Sequence, residues 1–112
     1  MRRVAALLAL LALACGCAGV RLMPERRGGV VHFRIRAPGA TRASLVGTFN
    51  RWTPSSSPMS TRDGELWEAA VSLAPGRHSY VFLVDDLPVR PPEAPMYEDD
   101  GFGGENGVIE IR

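Results

Sequence analysis

Val30-Val31-His32-Phe33-Arg34-Ile35-Arg36 is the stretch on which the fold turns. Val31, Phe33 and Ile35 alternate with His32, Arg34 and Arg36, so apolar and polar side chains point to opposite faces. A period of two over seven residues is the pattern of a strand buried on one face. Pro38-Gly39 ends it. Thr41 to Phe49 reads as a second strand, followed by a Pro- and Ser-rich loop from Thr53 to Ser60. Asp63-Gly64 is a turn signal that joins a short run near Met59 to the next strand as a hairpin. There Trp67, Ala69, Val71 and Leu73 alternate with Glu68, Ala70 and Ser72, and Trp67 falls among the packing positions. Pro75-Gly76 turns the chain into Arg77 to Val84, with Tyr80 and Phe82 on one face, and Asp85-Asp86 turns it again. Pro88, Pro91, Pro92 and Pro95 make the next segment an irregular edge, because proline cannot donate to a ladder. Asn106-Gly107 reads as a turn before a last strand, Val108-Ile109-Glu110-Ile111. Six or seven short strands at roughly ten-residue spacing, with no helical period after residue 30, predict an all-β antiparallel sandwich over residues 30–112.

The other direction from Val30 is of a different kind. Residues 18–29 carry no periodicity and close on Gly28-Gly29, which predicts a tether. Before them, Arg2-Arg3 leads into an unbroken apolar run from Val4 to Ala14 and then Cys15-Gly16-Cys17-Ala18-Gly19. A basic start, a short apolar stretch and a boundary of small residues describe a secretory signal over residues 1–17. The run is short of the ~20 apolar residues that a transmembrane helix needs. The two cysteines are the whole cysteine complement and lie one residue apart, so no disulfide framework can staple the domain. Leu11-Ala12-Leu13-Ala14-Cys15 resembles a bacterial lipobox, and so does Leu13-Ala14-Cys15-Gly16-Cys17. That resemblance implies an acylated cysteine and a lipid anchor to a membrane of the bacterial cell envelope. Cys15 has the better Leu-Ala approach, Cys17 leaves no free thiol behind, and the choice between them stays open.

Charge points to no polyanionic partner. Thirteen basic residues, all Arg, face twelve acids over the 112-residue chain. That is no electrostatic footprint for nucleic acid. Chemistry is equally sparse. His32 lies on the polar face of its strand and His78 follows the Pro75-Gly76 turn, so both read as solvated or structural, and no Ser-His-Asp grouping is evident. The run Glu98-Asp99-Asp100 lacks the alternating spacing and the later Glu of an EF-hand loop, so no metal is expected. Gly101-Phe102-Gly103-Gly104 does not connect a strand to a helix, so no nucleotide cofactor is expected either. With no cofactor, metal or catalytic grouping, the sequence reads as a non-enzymatic domain.

Three separated blocks carry a further resemblance. They are Leu45-Val46-Gly47-Thr48-Phe49-Asn50-Arg51-Trp52, then Leu73-Ala74-Pro75-Gly76-Arg77-His78-Ser79-Tyr80-Val81-Phe82-Leu83-Val84-Asp85, then Asp99-Asp100-Gly101-Phe102-Gly103-Gly104-Glu105-Asn106. Together they resemble the glycogen-binding domain family, carbohydrate-binding module family 48. That family includes β subunits of AMP-activated protein kinase and the N-terminal domains of branching and debranching enzymes. The resemblance implies an immunoglobulin-like early-set sandwich and an α-glucan ligand. It places Trp52 as a ring that stacks on a sugar, Phe102 as an apolar brace and Asn106 as a hydroxyl-binding amide. Two positions depart from the family: Val81 stands where a binding Lys is expected, and Pro88 where a second stacking Trp is expected. Two functions follow as expectations. The first is a membrane-anchored, non-catalytic module that binds α-glucan polysaccharide or oligosaccharide. The alternative is an anchored sandwich that has lost sugar binding and serves a protein partner or the envelope structure.

Overall fold

The computed structural model describes residues 20–112, and the expected signal, with Cys15 and Cys17, one of which is expected to carry lipid, lies outside the described residues. Among the described residues, nine strands form two antiparallel sheets. The first sheet holds β1 (Glu25–Arg27), β2 (Val30–Arg36), β5 (Leu66–Ser72) and β4 (Ser60–Thr61), in the order β1-β2-β5-β4. The second holds β3 (Ala43–Gly47), β6 (Gly76–Val84), β9 (Glu105–Ile111) and β8 (Met96–Asp99) in the order β3-β6-β9-β8, with β7 (Leu87–Val89) also paired to β6. This is the immunoglobulin-like early-set sandwich that the sequence implied.

The alternation in β2 decides which way that strand faces. Val31, Phe33 and Ile35 are buried and meet Tyr80 and Phe82 of β6 and Ile109 and Ile111 of β9 in one core between the sheets. The Phe33 and Tyr80 rings pack edge to face at 4.8 Å, the geometry that aromatic quadrupoles favour. Trp67 packs in the same core and donates its Nε1 hydrogen to the Ala37 carbonyl at 3.2 Å, so its one polar group is satisfied.

Four local expectations differ from what forms. Within the expected tether, Glu25–Arg27 pair with Val30–His32 as β1. A three-residue strand held at a sheet edge by backbone bonds buries no face of its own, so it leaves no period in the sequence. The strand expected to run to Phe49 stops at Gly47, because Thr48–Asn50 coil into a 3₁₀ turn. The proline-rich segment expected as an irregular edge is irregular over residues 90–95, which hold Pro91, Pro92 and Pro95, but it is flanked by two short strands, β7 and β8, and β7 carries Pro88 at the sheet margin. Asn106-Gly107 is not a turn but lies inside β9, opposite Glu98 and Tyr97. Gly107 is there for space: a Cβ would sit 2.8 Å from Tyr80 Cζ and 3.0 Å from Pro91 Cγ.

β6 organises the second sheet. Tyr80 pairs with Gly47 of β3 and with Gly107 of β9, while Phe82 pairs with Leu45 of β3 and with Val89 of β7. β9 and β7 therefore share one side of β6, and β7 takes over where β9 leaves. The hairpin into β7 turns on Asp85 and Asp86, both with positive φ (49° and 67°), as a tight two-residue turn requires. The Asp85 carboxylate accepts the backbone N–H groups of Thr41 (2.8 Å) and Arg42 (3.0 Å), tying this hairpin to the start of β3. Val81 lies at the handover, and its side chain faces away from the core.

Candidate functional site

Over that handover lies an open pocket of about 310 Å³, lined by Trp52, Val81, Pro88, Asp100, Phe102 and Asn106. The three residues singled out by the sequence meet there, and so do both departures. The six lining residues arrive from five elements: Trp52 from the loop after β3, Val81 from β6, Pro88 from β7, Asp100 and Phe102 from the β8–β9 loop, and Asn106 from β9.

Trp52 is presented by a strained turn. Arg51 and Trp52 both adopt left-handed backbone, with φ of 56° and 57°. Side chains with a Cβ rarely take that conformation, and it costs roughly 1–2 kcal/mol per residue. Asn50 holds the turn in place. Its Nδ2 donates to the Leu45 carbonyl (2.9 Å) and to Ser57 Oγ (3.1 Å), and its Oδ1 accepts the Gly47 N–H (3.0 Å). The Trp52 N–H also returns to the Gly47 carbonyl at 2.9 Å. The result is an indole 41% exposed at the pocket edge, in contrast to the buried Trp67. Asn50 was not singled out from the sequence. The signal was its place two residues before Trp52, but its three partners lie on segments that only the fold brings together.

This gives an expected result. Asn50→Ala leaves three partners unsatisfied in a half-buried place, at a cost of about 2 kcal/mol. The melting temperature falls by roughly 8–16 °C for a domain of this size. Asn50→Asp does not rescue it, because a carboxylate cannot donate to the Leu45 carbonyl. Thermal denaturation followed by circular dichroism measures both variants.

Opposite Trp52, the acidic pair Asp99 and Asp100 shapes the glycine-rich loop. Asp99 Oδ1 accepts the Gly101 N–H at 2.8 Å. Asp100 Oδ1 accepts the N–H groups of Phe102 (2.7 Å) and Gly104 (3.0 Å). Gly101 and Gly103 have φ of 82° and 88°, the left-handed region that glycine enters at little cost. Phe102, held between them, is 93% exposed and is not packed beneath its loop. Among the described residues, no three His, Cys, Asp or Glu side chains gather as metal ligands, and no helix is long and apolar enough to cross a membrane.

Asn106 sits beside a carboxylate hub. Glu98 Oε2 accepts the Ser79 hydroxyl at 2.7 Å and faces Asn106 Nδ2 at a long 3.5 Å, while Arg77 Nη2 approaches Oε1 at 3.3 Å. The Ser79 hydrogen bond, with those from Arg77 and Asn106 behind it, holds the Glu98 carboxyl below the usual carboxylate range. The pocket therefore offers one exposed indole, one exposed phenyl, two small apolar contacts and two hydrogen-bonding side chains. Apolar faces with a few placed polar groups suit a ring-shaped molecule that has apolar C–H faces and a hydroxyl rim.

Comparison with known proteins points the same way. Over 58 residues, half of this chain, it is 36% identical to the 1,4-alpha-glucan branching enzyme GlgB 2 of Xanthomonas campestris pv. campestris (strain 8004). Over 56 residues, 49% of the chain, it is 39% identical to the 1,4-alpha-glucan branching enzyme GlgB of Ralstonia nicotianae. These matches span only 8% and 7% of the length of the two enzymes. The family model described as the glycogen recognition site of AMP-activated protein kinase matches residues 31–112, from the first core position of β2 to the last residue, and it is to this family that the chain belongs.

Proposed function

We propose that this chain is a non-catalytic α-glucan-binding module, held at the bacterial cell envelope by an acylated Cys15 or Cys17. One observation carries the binding reading: Trp52, Phe102 and Asn106, drawn from three separate elements, line a single open pocket. Membership of a glycogen-recognition family and likeness to part of two α-glucan branching enzymes support the ligand class. The enzymes' reaction is not carried over, since the chain matches so little of their length.

In this reading the indole of Trp52 stacks on the apolar face of a glucose unit, and Phe102 packs against the next. The carboxylate of Asp100 accepts from the sugar's hydroxyl rim, and the amide of Asn106 accepts or donates there. No bond is made or broken, so the site needs no proton shuttle and no metal. Intrinsic fluorescence tests it directly. Trp67 is buried, so a change in emission during titration with maltoheptaose reports on Trp52. A flat titration together with no co-sedimentation with glycogen rejects sugar binding. Val81 and Pro88, uncharged and non-aromatic where the family resemblance places a Lys and a Trp, favour the second reading, an envelope sandwich that engages a protein partner.

The anchor has its own test. Cells expressing the full chain and fed an alkyne analogue of palmitate incorporate the label, and replacement of the acylated cysteine abolishes it. Label that persists in the Cys15→Ser, Cys17→Ser double variant rejects the anchor.

A further inference from the structure

We infer that the pocket selects uncharged glucan and discriminates against glucan bearing phosphate, a specificity that rests on the glucan-binding reading above. The inference comes from the polar groups that line the pocket and from their orientation. Four of the six lining residues, Trp52, Val81, Pro88 and Phe102, carry no charge and no strong hydrogen-bonding group facing a ligand other than the indole N–H. The other two are Asp100 and Asn106. No lining residue is cationic.

Asp100 is fixed where it stands. Its Oδ1 takes the N–H groups of Phe102 and Gly104, so the carboxylate cannot swing away from the pocket without undoing the loop that presents Phe102. Asn106 is turned by its neighbour. The Glu98 carboxylate can only accept, so the amide presents Nδ2 to it, at 3.5 Å, and leaves Oδ1 without a protein partner. The only charge on the polar rim is thus negative, the Asp100 carboxylate with a second carboxylate behind it, and the donors left there, the indole N–H and the second amide hydrogen of Asn106, are neutral. Sugar hydroxyls donate to the carboxylate. A phosphate dianion has no proton to donate and meets like charge.

Cations on the neighbouring strands do not offset this. Arg77 is paired with Glu98 at 3.3 Å and with Glu110 at 3.7 Å. Arg90 is bonded to Glu105 at 2.9 Å and lies over the Tyr97 ring at 3.8 Å. Arg51 precedes Trp52 in the chain but does not line the pocket. For a phosphate held about 6 Å from a carboxylate in a water-like medium, repulsion amounts to roughly fivefold to tenfold in affinity. It is screened as the Debye length falls from ~30 Å at 0.01 M salt to a few ångströms near 1 M.

The test titrates the full chain with maltoheptaose and with maltoheptaose carrying one 6-phosphate, in 10 mM and in 500 mM sodium chloride. The same titrations are repeated on Asp100→Asn, which keeps an Oδ1 acceptor for the Phe102 and Gly104 amides and removes the charge. The expected result is phosphorylated sugar bound about fivefold to tenfold more weakly at 10 mM salt. That ratio shrinks both at 500 mM and in D100N. Equal or tighter binding of the phosphorylated sugar overturns the inference and leaves glucan binding standing. A ratio that neither salt nor D100N alters also overturns it, because the discrimination is then steric. Binding of neither sugar rejects the glucan reading and the inference with it.

Discussion

Trp52→Ala weakens glucan binding by roughly 30-fold or more while the melting temperature moves by less than about 3 °C. The two effects separate because of where the indole sits. It lies 41% exposed at the pocket edge and outside the cluster of residues that fills the core. Truncating an exposed aromatic anchor at a binding site typically costs about 2 kcal/mol or more, which is the affinity loss stated. The fold loses little packing in exchange, and alanine in the left-handed turn carries a lighter steric load than tryptophan does. Trp67→Ala should behave in the opposite way, since that indole is core and its N–H holds the Ala37 carbonyl. Calorimetric titration with maltoheptaose and a thermal melt on each variant distinguish the two tryptophans. Unchanged affinity for Trp52→Ala in a protein that does bind the sugar removes Trp52 from the site.

Gly47→Ala should lower the stability of the domain by about 3 kcal/mol, and with it the melting temperature by roughly 12–24 °C. The reason is space rather than backbone conformation. Gly47 is fully extended, with φ of −173°, which any residue adopts. Its missing Cβ would lie 2.4 Å from the Ser79 carbonyl oxygen and 2.5 Å from a ring carbon of Phe49. Neither neighbour can withdraw cheaply. Ser79 belongs to the backbone of the central strand β6, and Phe49 is stacked 6.3 Å from Phe33 and packed against His78. The substitution also disturbs binding, because Gly47 gives its N–H to Asn50 and its carbonyl to the N–H of Trp52. A melting temperature lowered by less than about 4 °C would show that the sheet absorbs the methyl group.

These two positions mark how far the sequence could be read. Strands that bury one face announce themselves: β2 runs over Val30–Arg36 as its alternation predicts, and β5 and β6 lie within a residue or so of their periodic runs. Elements without a buried face do not. β1 and β7 are short margins held by backbone bonds, and nothing in Glu25-Arg26-Arg27 or Leu87-Pro88-Val89 encodes a period. The candidate site was legible only as residue types, since Trp52, Phe102 and Asn106 stand in recognisable blocks, and the fold brings the three to one pocket. What could not be read was the support beneath them. Asn50 bonds to Leu45, Gly47 and Ser57, and Asp100 bonds to the amides of its own loop. Both look like ordinary turn polar residues until the backbone is folded around them. Gly47 and Gly107 are similar cases, each serving a neighbour from a distant strand.

One consequence of β1 concerns reach. On the proposed anchor, the leash between lipid and domain is not the dozen residues that precede Val30, because Glu25–Arg27 are already stitched to β2. Only eight residue steps separate Cys17 from Glu25, or ten from Cys15, and a fully extended chain covers at most ~3.6 Å per residue, so the leash spans at most about 29 to 36 Å. It also fastens to the first sheet, whereas the pocket opens on the outer face of the second. A polymer gripped at Trp52 would therefore be kept within a few nanometres of the lipid surface, on the side of the domain away from the sheet that carries the leash.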